Sequence, residues 1–192
     1  DAAVNTQLVA AASIVLLLPG LSLLLLGPAR TRAIAFPLAF MAFMLPIPLA
    51  LTSQLHFALR RVATEASAVI VPWLGIRVFA ESTTLHIANA TLEVADACSG
   101  FSTLYASMVL ALLTAYFCRS WRRRVLVLLL AAPIAVCVNI LRVVLLVLLV
   151  YWQGTDVLAT SLHTISGLFT FALALPIIFW LGDDGGGKRG AA

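Results

Sequence analysis

Apolar residues run along this chain far beyond the length of a strand or an amphipathic helix, and polar residues appear mainly where those runs stop. Five apolar segments read as membrane-spanning helices, at about residues 8–26, 33–51, 101–117, 125–151 and 157–181. Each approaches the ~20 residues that cross a hydrocarbon core about 30 Å thick. The predicted fold class is therefore an all-α membrane protein, a polytopic bundle of about five transmembrane helices. The first segment has no basic stretch before it and no cleavage-site pattern before Arg30, so it reads as a retained helix rather than a secretory leader. The chain opens at Asp1 rather than Met, which leaves room for helices upstream.

The polar stretches between the spans have patterns of their own. Gly27-Pro28-Ala29-Arg30 reads as the turn of a helical hairpin, and Pro37, Pro46 and Pro48 predict that the second span is kinked or ends early. One long loop follows, at about residues 52–100. Its first part sets Leu55, Leu59, Val62 and Ala66 at helical spacing against Arg60, Arg61 and Glu65, the pattern of a helix lying on a membrane surface. After Pro72-Trp73-Leu74-Gly75 the period changes to two. Leu85 and Ile87, then Leu92 and Val94, alternate with polar neighbours and predict a small β-hairpin leading into Asp96-Ala97-Cys98. Residues 183–192 are Gly-rich and charged and read as a flexible cytoplasmic tail, which leaves residues 1–182 as a single integral membrane domain.

Composition makes lipid the solvent. The chain is 62% hydrophobic and 10% charged, with a mean hydropathy of +1.08, whereas soluble domains carry roughly a quarter of charged residues. The net charge of +4 speaks of topology before partners. Arg30 and Arg32, Arg119 and Arg122 to Arg124, and Lys188 and Arg189 hold eight of the twelve basic residues, and all three groups fall on one side if the five helices alternate. That side is cytoplasmic by the positive-inside rule. The residue 52–100 loop then faces outward with most of the acids. Arginines dispersed at helix ends do not form a nucleic-acid patch, so no nucleic-acid partner is expected.

Three polar groups interrupt this pattern: Cys98, Arg142 and His163. Counted from Arg119, Arg124 and Asp183, they stand 21, 18 and 20 residues away, or roughly 27–32 Å of helix. All three thus reach one depth near the outer interface. Arg142 lies among aliphatic neighbours, where an arginine costs about 2.5–3.5 kcal/mol on insertion scales. Snorkelling or pairing with a carboxylate is the structural alternative. Asn139, one turn earlier, adds an amide, and two donors aimed at one place suit a developing oxyanion or a substrate carboxylate. Cys98 sits in a polar, small-residue break, Asp96-Ala97-Cys98-Ser99-Gly100, just before a helix, a setting that confers thiolate character. Cys118 and Cys137 occupy helical contexts suited to packing and lie out of disulfide reach of Cys98. The His163 imidazole suits proton transfer to and from such a thiol. His56 and His86 lack this context and are set aside. One Cys and one His do not make a metal site, no Cys-x-x-Cys pair exists for redox chemistry, and no cofactor is called for.

These motifs resemble those of the exosortase/archaeosortase family of membrane transpeptidases. The resemblance rests on Asp96-Ala97-Cys98-Ser99-Gly100, on Asn139-Ile140-Leu141-Arg142 and on His163 at the head of the last helix. It extends through Gly75-Ile76-Arg77-Val78 and Asn89-Ala90-Thr91-Leu92-Glu93-Val94, covering about residues 74–181. It implies Cys98 as nucleophile, His163 as general base and acid, and Arg142 as stabiliser of oxyanion or substrate, with Asp96, Ser99, Gly100 and Asn139 in support. The implied substrates are exported proteins with a C-terminal sorting signal of the PEP-CTERM kind: a short motif, a transmembrane helix and a basic end. The implied reaction holds the protein as a thioester and passes it to an amine acceptor, in the cell (inner) membrane with the active site on the outer, periplasmic face. A reading of a different class is a non-catalytic scaffold or transporter fragment in which Arg142 and His163 form a structural intramembrane pair.

Overall fold

A computed structural model describes residues 2–45, 47, 49–88, 90–95, 98–154 and 162–183, with the side chains at 2–7, 44, 49, 50 and 162–164 excepted. Of the residue 183–192 tail predicted to be flexible, residues 184–192 lie outside the described residues. The chain divides into two compact units, residues 1–52 and 53–192.

The first unit is a bent helical segment. Helix α1 spans Ala2–Ala33 but breaks at Gly27, whose φ of 76° and ψ of 169° are not helical. Glycine reaches positive φ without a Cβ penalty, and Pro28 after it restarts the helix with its φ already set. The Ser22 and Thr31 hydroxyls meet at 2.9 Å, whereas a straight helix would hold residues nine apart at roughly 13 Å. The chain therefore doubles back at the predicted turn. Its return limb, within the expected span over residues 33–51, is kinked and broken early, as its prolines predict. It is interrupted at Ile34, resumes as α2, Ala35–Phe40, and tightens into a 3-10 turn at Met41–Met44 before Leu45 becomes extended. A proline cannot donate to a helical ladder and disfavours helix at the residue before it, in keeping with the extended Leu45 ahead of Pro46. Among the described residues three helices are long and apolar enough to cross a bilayer, Leu8–Ala33, Trp121–Gln153 and Ile165–Gly182, with the apolar Phe101–Phe117 shorter.

The second unit builds a small sheet beside three packed helices. Helix α3, Leu49–Ile70, begins earlier than its sequence pattern suggests and has two distinct faces. Within the unit, Ala63, Thr64 and Ser67 are buried, while Leu55, Val62 and Val69 are exposed apolar residues. A 3-10 turn, Val71–Leu74, closes on Gly75 at φ 83°. Strands β1 (Val78–Glu81), β2 (Thr84–Ile87) and β3 (Ala90–Glu93) follow as an antiparallel meander in the order β1-β2-β3. The expected hairpin is β2-β3; β1 extends it to three strands. Val78 and Ala80 on β1 share the inward face with Leu85, Ile87 and Leu92, but two residues are too few to announce a strand by period alone.

Helices α4 (Phe101–Phe117), α5 (Trp121–Gln153) and α6 (Leu162–Gly182) pack on one another. At one end, Ala111, Val127, Ala131 and Ile178 form a core in which small side chains let the backbones approach. The Cys118 thiol donates to the Gly182 carbonyl at 3.3 Å there, so this cysteine has a packing role. Helix α5 is longer than a bilayer core is thick. Its 33 residues make roughly 50 Å of helix, against a hydrocarbon core of about 30 Å. Val143, Val144, Leu146, Val147 and Val150 pack with Leu85, Leu92 and Val94 of the sheet region in one core. The upper third of the longest aliphatic run thus buries itself against protein and anchors the sheet to the bundle.

Candidate active site

The break between β3 and α4 is held from two sides. Cys98 closes a tight turn in which its N–H donates to the Ala95 carbonyl at 2.8 Å. Gly100 then caps α4 at φ 79°. From α5, the Asn139 Nδ2 donates to the carbonyls of Cys98 at 3.3 Å and Ser99 at 3.1 Å. Gly100 allows this approach, because a Cβ there would run into the Asn139 amide. The Asn139 Oδ1 is buried and has no hydrogen-bond donor among the described residues. Asn139 therefore clamps the cysteine turn to α5, which differs from its expected role as a donor aimed beside Arg142. The amide protons go to backbone carbonyls because two carbonyls in a turn are acceptors that burial would otherwise leave unsatisfied.

The second hold comes from α3. Ser99, almost wholly buried, bonds His56 Nδ1 through its hydroxyl at 2.8 Å and accepts the Phe101 N–H at 3.3 Å. The His56 ring rests against Phe101, with centroids 4.6 Å apart. Sequence reasoning set His56 aside, and local context held no signal, because its partner lies 43 positions away. His86 stays on the outer face of the sheet, near Thr91 and Glu81.

Arg142 stands one turn above Asn139 and is buried, 7% exposed. Its Nε donates to the Ser166 hydroxyl of α6 at 3.0 Å, and its guanidinium lies along Gly167. At the far end of the same helix pair, Arg123 and Leu126 share a cavity with Trp180 and Asp183. Two such contacts, one at each end, mean that α5 and α6 run antiparallel, and that residues counted to equal depth from their charged ends do meet. His163 belongs to the first turn of α6, one turn before Ser166, and its side chain lies outside the described residues, as does Asp96.

Cys98 is in no disulfide and is 6% exposed. Burial pushes its pKa above the ordinary thiol value, and the nearby Arg142 guanidinium pulls it partly back. The helix-end argument for a ready thiolate is thus outweighed by desolvation. Two cavities flank the site. One of about 210 Å³ lies between α5 and α6, lined by Arg142 and Ser166 among leucines and Phe169. The other, about 250 Å³, has residues 92–95 and Cys98 on one wall and Val143 and Leu146 on the other. Leu146 borders both. Among the described residues no group of three His, Cys, Asp or Glu side chains is disposed to hold a metal ion.

The structure thus gathers Cys98, Ser99, Gly100, Asn139 and Arg142 at one level, adds His56, and brings the head of α6 alongside. No curated protein and no solved structure matches the chain. The sequence model of the transmembrane exosortase family matches residues 2–180, nearly the whole of it. This multi-pass membrane protein therefore belongs to the transmembrane exosortase family.

Proposed function

We propose that this protein is a membrane cysteine transpeptidase or protease that cleaves C-terminal sorting signals of exported proteins at the outer face of the membrane. The observation that carries the reading is the placement of a buried thiol near a buried arginine, with Asn139 tying the Cys98 turn to α5 one turn from Arg142. A thiol whose pKa is raised by burial is a poor nucleophile until a base deprotonates it. His163 is assigned that task, one turn from the Ser166 that bonds Arg142.

In the first half-reaction the Cys98 proton passes to the imidazole and the sulfur attacks the scissile carbonyl. Negative charge collects on the carbonyl oxygen, where the Arg142 guanidinium offers donors in a low-dielectric setting. The C–N bond then breaks, the imidazolium protonates the leaving amine, and an acyl thioester remains. In the second half an amine acceptor loses its proton to the imidazole and attacks the thioester; the thiolate leaves, regains that proton, and an amide is formed. Water in place of the amine gives hydrolysis.

A substrate with its own transmembrane helix and basic end would bring its scissile bond to the same height as this site, by the depth count that relates Arg142 and the head of α6. The apolar cavity beside Arg142 suits the upper turn of such a helix. The test is Cys98→Ala with a coexpressed tagged protein bearing a sorting signal, followed by gel shift. Processing is expected to stop; undiminished cleavage would remove the reading. The rival, a structural Arg142 joining α5 to α6, draws on the Ser166 bond and predicts that Cys98 is dispensable.

A further inference from the structure

β3 is an edge strand that ends beside the nucleophile. In the meander order β1-β2-β3 its far side pairs with no strand among the described residues. Register decides which backbone groups face that side. Ile87 pairs with Ala90 across the two-residue turn and Leu85 with Leu92, and the Val94 N–H donates to the Thr83 carbonyl at 2.9 Å. Antiparallel pairs alternate, so residues 90, 92 and 94 direct their N–H and C=O groups to β2. Thr91 and Glu93 direct theirs to the open side, and both residues are exposed. Each leaves one donor and one acceptor there, at the two-residue spacing that an extended peptide matches.

Edge strands invite pairing and are usually blunted by charge, shortness or cover. This one is four residues long and carries Glu93, which discourages indefinite sheet growth but not one short peptide. What distinguishes it is where it leads. The wall of the 250 Å³ cavity runs from Leu92 through Ala95 to Cys98, with Val143 and Leu146 opposite. That space is below the roughly 300–1,000 Å³ of small-molecule pockets and suits a side chain or two of a bound peptide. Main-chain pairing at an edge with pockets for alternate side chains is how extended peptides are recognised by strand addition.

We infer that the open edge of β3 at Thr91 and Glu93 binds the substrate polypeptide next to its scissile bond as an added strand, with one side chain seated in the cavity that Cys98 shares. The inference rests on the proposed transpeptidase reading. It makes main-chain hydrogen bonding a part of recognition, so the substrate segment must be extended and free of proline at the positions that pair with Thr91 and Glu93.

Proline substitution tests the edge, because it deletes a single N–H. Thr91→Pro and Glu93→Pro remove donors on the open side while leaving the β2 pairing intact, and Ala80→Pro removes one on the opposite edge of the sheet, where it also faces away from β2. The assay is gel-shift processing of a coexpressed, tagged exported protein bearing a C-terminal sorting signal, with Cys98→Ala run in parallel. Thr91→Pro and Glu93→Pro are expected to slow processing about five- to tenfold or more, with Ala80→Pro near wild type. As a measurement independent of tolerance to proline, a photocrosslinking residue at position 91 in a Cys98→Ala background is expected to capture the same tagged protein, and one at exposed Phe79 is not. If Cys98→Ala abolishes processing yet the β3 prolines match Ala80→Pro and position 91 captures nothing, the strand-addition inference is overturned and the transpeptidase reading stands. If Cys98→Ala processes normally, both fall.

Discussion

Gly100→Ala isolates the clamp that positions Cys98. Gly100 holds φ at 79°, and placing an L-residue there costs roughly 1–2 kcal/mol by itself. The new Cβ would also stand 2.6 and 2.7 Å from the Asn139 Oδ1 and Nδ2, distances that real Cβ atoms do not sustain. The amide is short-stemmed and buried, so it cannot step aside while still reaching the Cys98 and Ser99 carbonyls. Losing those two bonds adds about 1 kcal/mol each. Gly100→Ala is therefore expected to destabilise the protein by about 3–4 kcal/mol in the wild-type background. With Asn139→Ala already in place the collision is gone, and only the backbone cost of about 1–2 kcal/mol remains. The coupling of about 2 kcal/mol is read from a double-mutant cycle of unfolding free energies in detergent micelles. Maleimide labelling of Cys98 reports the turn directly and should quicken as the clamp opens. Equal effects of Gly100→Ala in the two backgrounds would refute the clamp.

The Cys98 thiol yields a pH prediction. Burial raises its pKa and Arg142 lowers it, so in a background lacking Cys118 and Cys137 its alkylation should rise with pH at a midpoint above that of a free cysteine, and Arg142→Gln should move the midpoint higher still; an unchanged or lower midpoint would refute the coupling. The linked stability has a definite sign: a folded-state pKa above the unfolded one means full stability below the ordinary thiol pKa of about 8.5, then a decline as pH climbs from there through the raised value. The α3 contact is tested by Ser99→Ala and His56→Ala, whose shared hydrogen bond predicts a coupling of about 0.5–1.5 kcal/mol. Additive effects on unfolding would mean that the bond contributes nothing.

Some of the site could be read along the chain because its constraints are one-dimensional. Helix rise is constant, so counting from charged ends put Arg142 level with the first turns of α6, and the Arg142 bond to Ser166 joins those levels. A polar, glycine-bearing break between a strand pattern and a helix marked the Cys98 turn. His56 had no such marker. Its partner Ser99 is far off in sequence, and only the folding of α3 against the start of α4 brings the two together.

The sequence alone determined that lipid is the solvent, where the long helices lie, and which polar groups are too costly to sit in them without reason, because hydropathy and helix geometry act locally. Tertiary structure decided what each face of those helices touches. The aliphatic run of α5 reads the same in lipid or in a protein core, yet its upper third packs against the sheet. Asn139 reads as a donor for substrate, yet its amide serves the Cys98 turn. Desolvation of Cys98 likewise depends on everything packed around it, and for that reason it overrules the helix-end argument that its neighbours in sequence supply.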